Sequence, residues 1–129
     1  VVLVHGVWDL LHPGHIEHLY QAKLFGDRLI VSVVPDEFCT KEQLIYSLEQ
    51  RLTMLRAVKW VSTALSCKGP GPQEVIENLH PSVYVRGSEY AGVAAPEDEL
   101  IRAKGILRGY THSISIHTSD IIARIKALP

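Results

Sequence analysis

Residues 1–34 read VVLVHGVWDLLHPGHIEHLYQAKLFGDRLIVSVV, and their pattern decides the fold. Val1 to His5 is an unbroken apolar run of buried-strand length, followed by a turn around Gly6 and Asp9. From Pro13 onward, apolar residues recur at Ile16, Leu19, Tyr20 and Leu24, the spacing of one helix face. Pro13 suits a first helical position, where a missing N–H costs nothing, and Gly26-Asp27 stops the helix. Leu29 to Val34 is a second apolar run. Two strands without polar alternation, joined through a helix, predict a right-handed βαβ unit in a parallel sheet covered on both faces.

The same grammar continues to the end of the chain. After an irregular stretch from Pro35 to Tyr46, spacing predicts a helix from about Leu48 to Lys59 and a third strand over Trp60 to Leu65. Gly69-Pro70-Gly71-Pro72 reads as a turn, with a short helix from Pro72 to Leu79. Val83 to Val85 is the expected fourth strand, Glu97 to Leu107 a helix, Ile114 to His117 the fifth strand, and Ile121 to Leu128 the last helix. The expected fold is one Rossmann-like α/β domain over residues 1–129 with a parallel sheet of about five strands. In such sheets a ligand sits beyond the carboxyl ends of the strands, near the point where strand order reverses. The chemically interesting clusters, Asp9 to His15, Asp36 to Lys41, Arg86 to Tyr90 and Thr118-Ser119, all lie just past an expected strand end.

Composition narrows the classes. The 129 residues are 47% apolar and 21% charged, enough for an ordinary core. A net charge of −1 excludes whole-surface attraction to nucleic acid or anionic membrane. No apolar run approaches the roughly 20 residues that span a bilayer, so no membrane insertion is expected. Cys39 and Cys67 are too few for a disulfide scaffold and read as free thiols in a reducing compartment, the cytoplasm. The chain begins at Val1 rather than Met, which leaves room for a further domain upstream, such as a fused kinase.

The densest chemical signal is H5-G-V-W-D-L-L-H-P-G-H15. Gly6 lets backbone approach a ligand after the first strand. His12 and His15, three apart at a helix mouth, can face the same side as the free N–H groups of the first turn, a site suited to polyphosphate. Gly14 keeps that approach open. Two histidines could be half of a metal site, but there is no HExxH pattern and no cysteine pair, so protein residues alone are not expected to hold a metal. Taken singly, Lys41 reads as a solvated lysine, Arg51 as the exposed face of its helix, Asp9 as a turn former and Trp8 as a packing residue. His5, His18, His80 and His112 carry no motif, and Tyr46 and Tyr84 read as structural.

His12-Pro13-Gly14-His15 resembles the HxGH signature of the cytidylyltransferase-like nucleotidyltransferases, in its usual context of Gly6, Trp8, Asp9 and Leu11. The likeness continues through Leu19, Ala22-Lys23, Gly26-Asp27, Leu29 to Val31, Asp36, Lys41, Leu48 to Arg51, Arg86 to Tyr90 and Thr118 to Ile122. It implies attack of a phosphorylated alcohol on the α-phosphate of a nucleoside triphosphate, with release of pyrophosphate. By that resemblance His12, His15, Lys41 and Arg51 are the catalytic set. Gly6, Val7, Trp8, Asp9, Gly14, Arg86, Gly87, Glu89, Tyr90, His117, Thr118 and Ser119 bind nucleotide, and Asp36, Lys41 and Arg51 hold the acceptor. Asp9 and Asp36 are expected to orient groups on ribose or on Mg²⁺ carried by the triphosphate. A homodimer is the family habit.

Three departures stand out. The family's Val-Asp near the third strand is Val61-Ser62, a Gly-Gly pair is reduced to Gly105, and the residue before Thr118 is His117 in place of Ser or Gly. The sequence most resembles the adenylyltransferase half of bifunctional heptose-phosphate enzymes, so ATP or CTP and a phosphorylated sugar or polyol are the expected substrates. Glycerol-3-phosphate cytidylyltransferases are the alternative within the family. A non-catalytic nucleotide-binding regulatory domain is the alternative from another class.

Overall fold

The structure, a computed structural model, describes residues 1–40, 44–112 and 117–129. Five strands pair in parallel: β1 (Val2–Gly6), β2 (Leu29–Val33), β3 (Thr63–Ser66), β4 (Val83–Gly87) and β5 (Leu107–Thr111). Their order across the sheet is β3-β2-β1-β4-β5, so the winding reverses between β1 and β4. That is where a parallel sheet opens a crevice at its carboxyl edge. The expected βαβ architecture is therefore what the chain adopts.

Successive residues of a strand point to opposite faces, and two cores follow. Val2 and Val4 of β1 join Leu29, Val31 and Val33 of β2 beneath α1 (Pro13–Lys23) and α2 (Leu48–Arg56), with Leu19, Leu52 and Leu55 as the helix contributions. Leu3, Ile30 and Tyr84 join Val75 and Ile76 of α3 (Gln73–Leu79) and Ile101 of α4 (Asp98–Ala103) on the other face. Each fully buried aliphatic side chain contributes about 1.5–3 kcal/mol. The last helix, α5 (Thr118–Ala127), carries no buried residue. Both cysteines are free. Among the described residues no helix is long and apolar enough to cross a membrane.

Two strands differ from expectation. The third starts at Thr63, because Trp60 leaves the sheet to meet Tyr20 edge-on, ring centroids 5.2 Å apart. The fifth is Leu107–Thr111, where only Gly109 and Thr111 are buried. An edge strand of this kind lacks the apolar run that marks a central one, so Leu107 had read as helix. Gly105, at φ +66°, ends that helix early. Of the fifth strand expected at 114–117, residues 114–116 lie outside the described residues, and His117 precedes α5 as its N-cap. Ser62, where the family has Asp, accepts the Leu29 N–H at 3.3 Å and ties the β3 entrance to β2.

Candidate active site

A cavity of about 440 Å³ opens at the reversal point between β1 and β4. Its phosphate-suited end is built by the mouth of α1. His12 is the N-cap, and its ring accepts the Gly14 N–H at 3.0 Å through Nδ1. His15 accepts the His12 N–H at 3.2 Å, again through Nδ1. An imidazole nitrogen that accepts carries no proton, so this pattern puts the N–H of each neutral ring on Nε2. The rings stack with centroids 3.9 Å apart. Burial lowers the pKa of His15 to about 4, reinforced by His12 and His18, while the Leu10 carbonyl opposes the shift. Burial, then His117, lowers that of His12. Both are therefore neutral donors at pH 7, in front of a helix N-terminus.

The cavity is lined by Gly6, Val7, Trp8, Asp9, His12, Gly14 and His15 from the β1–α1 segment. Arg86, Gly87, Glu89 and Tyr90 line it after β4, and His117 and Thr118 at α5. Trp8 is 5% exposed and belongs to the core, its indole N–H donating to the Ser32 carbonyl at 3.1 Å. The need for Gly6 is likewise local: a Cβ there would stand 3.3 Å from the Trp8 ring. Thr118 donates its hydroxyl to the Leu10 carbonyl at 3.4 Å. Arg86 sits over the Tyr90 ring at 5.0 Å and bonds the Val93 carbonyl, which fixes the wall after β4.

Arg51 is elsewhere. Its side chain is fully buried, with Nη1 donating to Val7 O at 2.8 Å and Val34 O at 2.7 Å, and Nη2 to Asp36 at 2.6 Å. The expectation of an exposed or phosphate-facing arginine is corrected: the guanidinium clamps the carbonyl ends of β1 and β2 together. Asp36 is the counter-ion of that clamp, and neither residue lines the cavity, nor does Ser119. Lys41 lies outside the described residues. Asp9 reaches across to the entrance of α2, its Oδ2 accepting the N–H groups of Ile45 and Tyr46 at 2.6 and 3.0 Å.

Six lining residues, His5, His18, Tyr84, Val85, Glu97 and Thr111, lie outside the set expected from the sequence. His18 extends the His12, His15 series by another three residues along α1 and meets Thr111 Oγ1 at 2.6 Å; that spacing was the available signal. Tyr84 and Glu97 form a buried pair, the phenol donating to the carboxylate at 2.7 Å. Burial and then Glu97 push the Tyr84 pKa far up, so the phenol keeps its proton. His5, at the end of β1, bonds Ser32 Oγ and the Pro70 carbonyl, and burial lowers its pKa.

Among the described residues no group of three His, Cys, Asp or Glu side chains could hold a metal ion alone. Asp9 Oδ1, however, is buried with no hydrogen-bond partner. That orphaned oxygen fits a cation brought in by a triphosphate, since a hard divalent ion prefers one or two carboxylates plus phosphate oxygens.

Comparison with known proteins gives a consistent answer. The family described as cytidylyltransferase-like matches residues 3–124. The bifunctional protein HldE of Edwardsiella ictaluri is 33% identical over 98% of this chain, which spans 28% of that protein's length. HldE of Yersinia pestis is 31% identical with the same coverage. The crystal structure of the lipopolysaccharide core biosynthesis protein from Thermoplasma volcanium superposes with a TM-score of 0.69 at 26% identity, covering 90% of this chain and 97% of that one. Pantothenate synthetase from Thermus thermophilus shares the fold, with a TM-score of 0.57 at 14% identity over 92% of this chain and 57% of its own.

Proposed function

The chain belongs to the cytidylyltransferase-like family, and from that premise we propose that it transfers a nucleotidyl group from ATP or CTP to a phosphorylated sugar or polyol. The observation that carries this reading is the pair of neutral imidazoles at the mouth of α1, both bonded to backbone through Nδ1. An acceptor phosphate oxygen attacks the α-phosphorus while the bond to the β-phosphate oxygen breaks and pyrophosphate leaves. The acceptor is already ionised, so no general base is required. Positioning and electrostatic stabilisation are then what the protein contributes. His12 and His15 donate toward oxygens that gain charge in the transition state. By the family resemblance, Lys41 would bridge the two phosphate-bearing reactants, and Asp9 would hold the Mg²⁺ that accompanies the triphosphate. Such a cation would supply neutralisation of phosphate charge. Arg51 acts at one remove, by holding the Val7 carbonyl and thus the outlet of β1.

The likeness to bifunctional heptose-phosphate enzymes favours an ATP-dependent sugar phosphate reaction in the cytoplasm, with a fused kinase domain and a homodimer as further proposals. A glycerol-3-phosphate cytidylyltransferase is the second reading, favoured by Tyr46-Ser47 before α2. Pyrophosphate release with four nucleoside triphosphates against a panel of heptose and polyol phosphates tests both. Release with none of them, alongside tight nucleotide binding, would make the chain a regulatory nucleotide-binding domain.

A further inference from the structure

The cavity is lined in part by residues of the sheet's other face. Tyr84 packs with Leu3, Ile30 and Ile101 on the side of α3 and α4, whereas α1 covers the opposite face. Glu97, the residue before α4, is 6% exposed and lines the cavity as well. A carboxylate so buried is normally paired with a cation or fully hydrogen-bonded. Glu97 has neither: among the described residues it makes no ion pair, and its one donor is Tyr84, on Oε2. Two basic side chains that line the same cavity hold other partners. His5 has both ring nitrogens engaged, by Ser32 and Pro70, and Arg86 bonds the Val93 carbonyl while stacking on Tyr90. Oε1 is therefore left to accept from whatever fills the cavity.

We propose that Glu97, held by Tyr84, reads the exocyclic amino group of the nucleobase. This specificity assignment rests on the nucleotidyl-transfer reading. The reacting phosphates of both substrates must meet at the mouth of α1, so the part of the nucleotide that extends away from them is its base. Planar groups, Tyr84 and the Arg86–Tyr90 stack, also line the cavity. Adenine and cytosine both present an amino donor there. Hypoxanthine and uracil present a carbonyl oxygen instead, which a buried carboxylate repels and leaves unsatisfied. The site thus accepts ATP or CTP and rejects the matching ITP or UTP.

Calorimetric titration of the full chain with Mg²⁺ and ATP, ITP, CTP, UTP or inorganic tripolyphosphate tests this. Wild type should prefer ATP to ITP, or CTP to UTP, by about tenfold to a hundredfold, the usual effect of one buried donor–acceptor match. Glu97→Gln, whose amide can donate to a carbonyl, should bring that ratio close to one or invert it, and should bind tripolyphosphate as wild type does. Equal ratios in wild type and Glu97→Gln, with triphosphates still bound, would overturn the assignment. So would parallel loss of tripolyphosphate binding, which would make Glu97 a support of the whole cavity. An effect of Glu97→Gln confined to the polyol KM would move the carboxylate to the acceptor and also overturn it. Failure of wild type to bind any triphosphate, tripolyphosphate included, would instead remove the nucleotidyl-transfer reading beneath it.

Discussion

The mouth of α1 and the clamp at Arg51 carry the same kind of residue to two different ends. Both lie at strand outlets, and both offer N–H donors of a type that binds phosphate. At α1, His12 and His15 take their backbone partners through Nδ1 and keep the opposite nitrogen protonated beside the cavity. At Arg51 the terminal nitrogens are already taken by Val7, Val34 and Asp36, while Nε is buried without a partner. A donor binds ligand only if internal acceptors leave it free. Burial supplies the difference: a guanidinium with no exposed surface must be satisfied from within, whereas an imidazole can satisfy the protein with one nitrogen and the ligand with the other.

The largest effect should come from breaking the clamp. Arg51→Ala removes a fully buried guanidinium from the half-exposed Asp36 and leaves the Val7 and Val34 carbonyls without their donor, a loss of about 1–3 kcal/mol in unfolding free energy for each carbonyl left unsatisfied. Urea denaturation measures it. A variant that unfolds like wild type but has lost kcat would restore Arg51 to the chemistry and erase the contrast with α1.

His15→Ala tests the other side. On the proposed reading it removes one donor to developing charge and should lower kcat by about 10²–10³-fold, with a smaller change in nucleotide affinity. His15→Asn sharpens the point, because its amide oxygen can still cap the His12 N–H while the donor at the Nε2 position is lost. Stability close to wild type with kcat still reduced separates catalysis from capping. A fall in kcat of less than about tenfold for both variants would remove His15 from transition-state stabilisation.

The neutral histidines also set the acid limit of the fold. His15 binds its proton at about pH 4 in the folded chain against 6.5 in the unfolded one, so between these values the unfolded state holds more protons. Stability is therefore complete above pH 6.5 and declines as pH falls toward 4. The full shift corresponds to about 3 kcal/mol, and partial solvent access to the ring brings it nearer to about 2. His5, His12 and His18 are shifted in the same direction and steepen the decline. Thermal unfolding followed from pH 7 to 4.5 should show the loss, and a flatter profile in His15→Ala; matching profiles would mean that the ring is solvated.

The sequence carried the central sheet and the α1 mouth because both depend on local pattern: apolar runs in Val1–His5 and Leu29–Val34, and His-Pro-Gly-His at a helix start. It could not carry facts set by long-range contact. Arg51 meets Val7 across 44 residues, and Tyr84 meets Glu97 from another element, so neither partner is visible from its neighbours in the chain. Edge strand β5 was missed for a related reason. Leu107 and Tyr110 stay exposed, and burial on one side leaves too weak a pattern to compete with the Ile114–Ile116 run.

His117 gives the smallest and most discriminating effect. It lines the cavity beside His12, and after burial it is the second cause that holds the His12 pKa down. Like charges disfavour each other's protonation, so His117→Ser should raise the His12 pKa toward its ordinary value, as followed by NMR of the imidazole protons. A bound triphosphate acts in the opposite sense to burial, favouring protonated rings, and nucleotide binding should tighten as pH falls from about 8 to 6. By raising the His12 pKa, His117→Ser leaves that ring less proton to take up on binding and makes the slope shallower, a change of less than about tenfold in Kd across the range. The two measurements constrain each other: an unchanged His12 titration together with an unchanged slope would leave His117 as no more than the N-cap of α5, whose N–H is already bonded to Asp120. A raised His12 pKa with a shallower slope would make the α5 entrance part of the same phosphate site as the mouth of α1, and the contrast with Arg51 would then extend to three strand outlets.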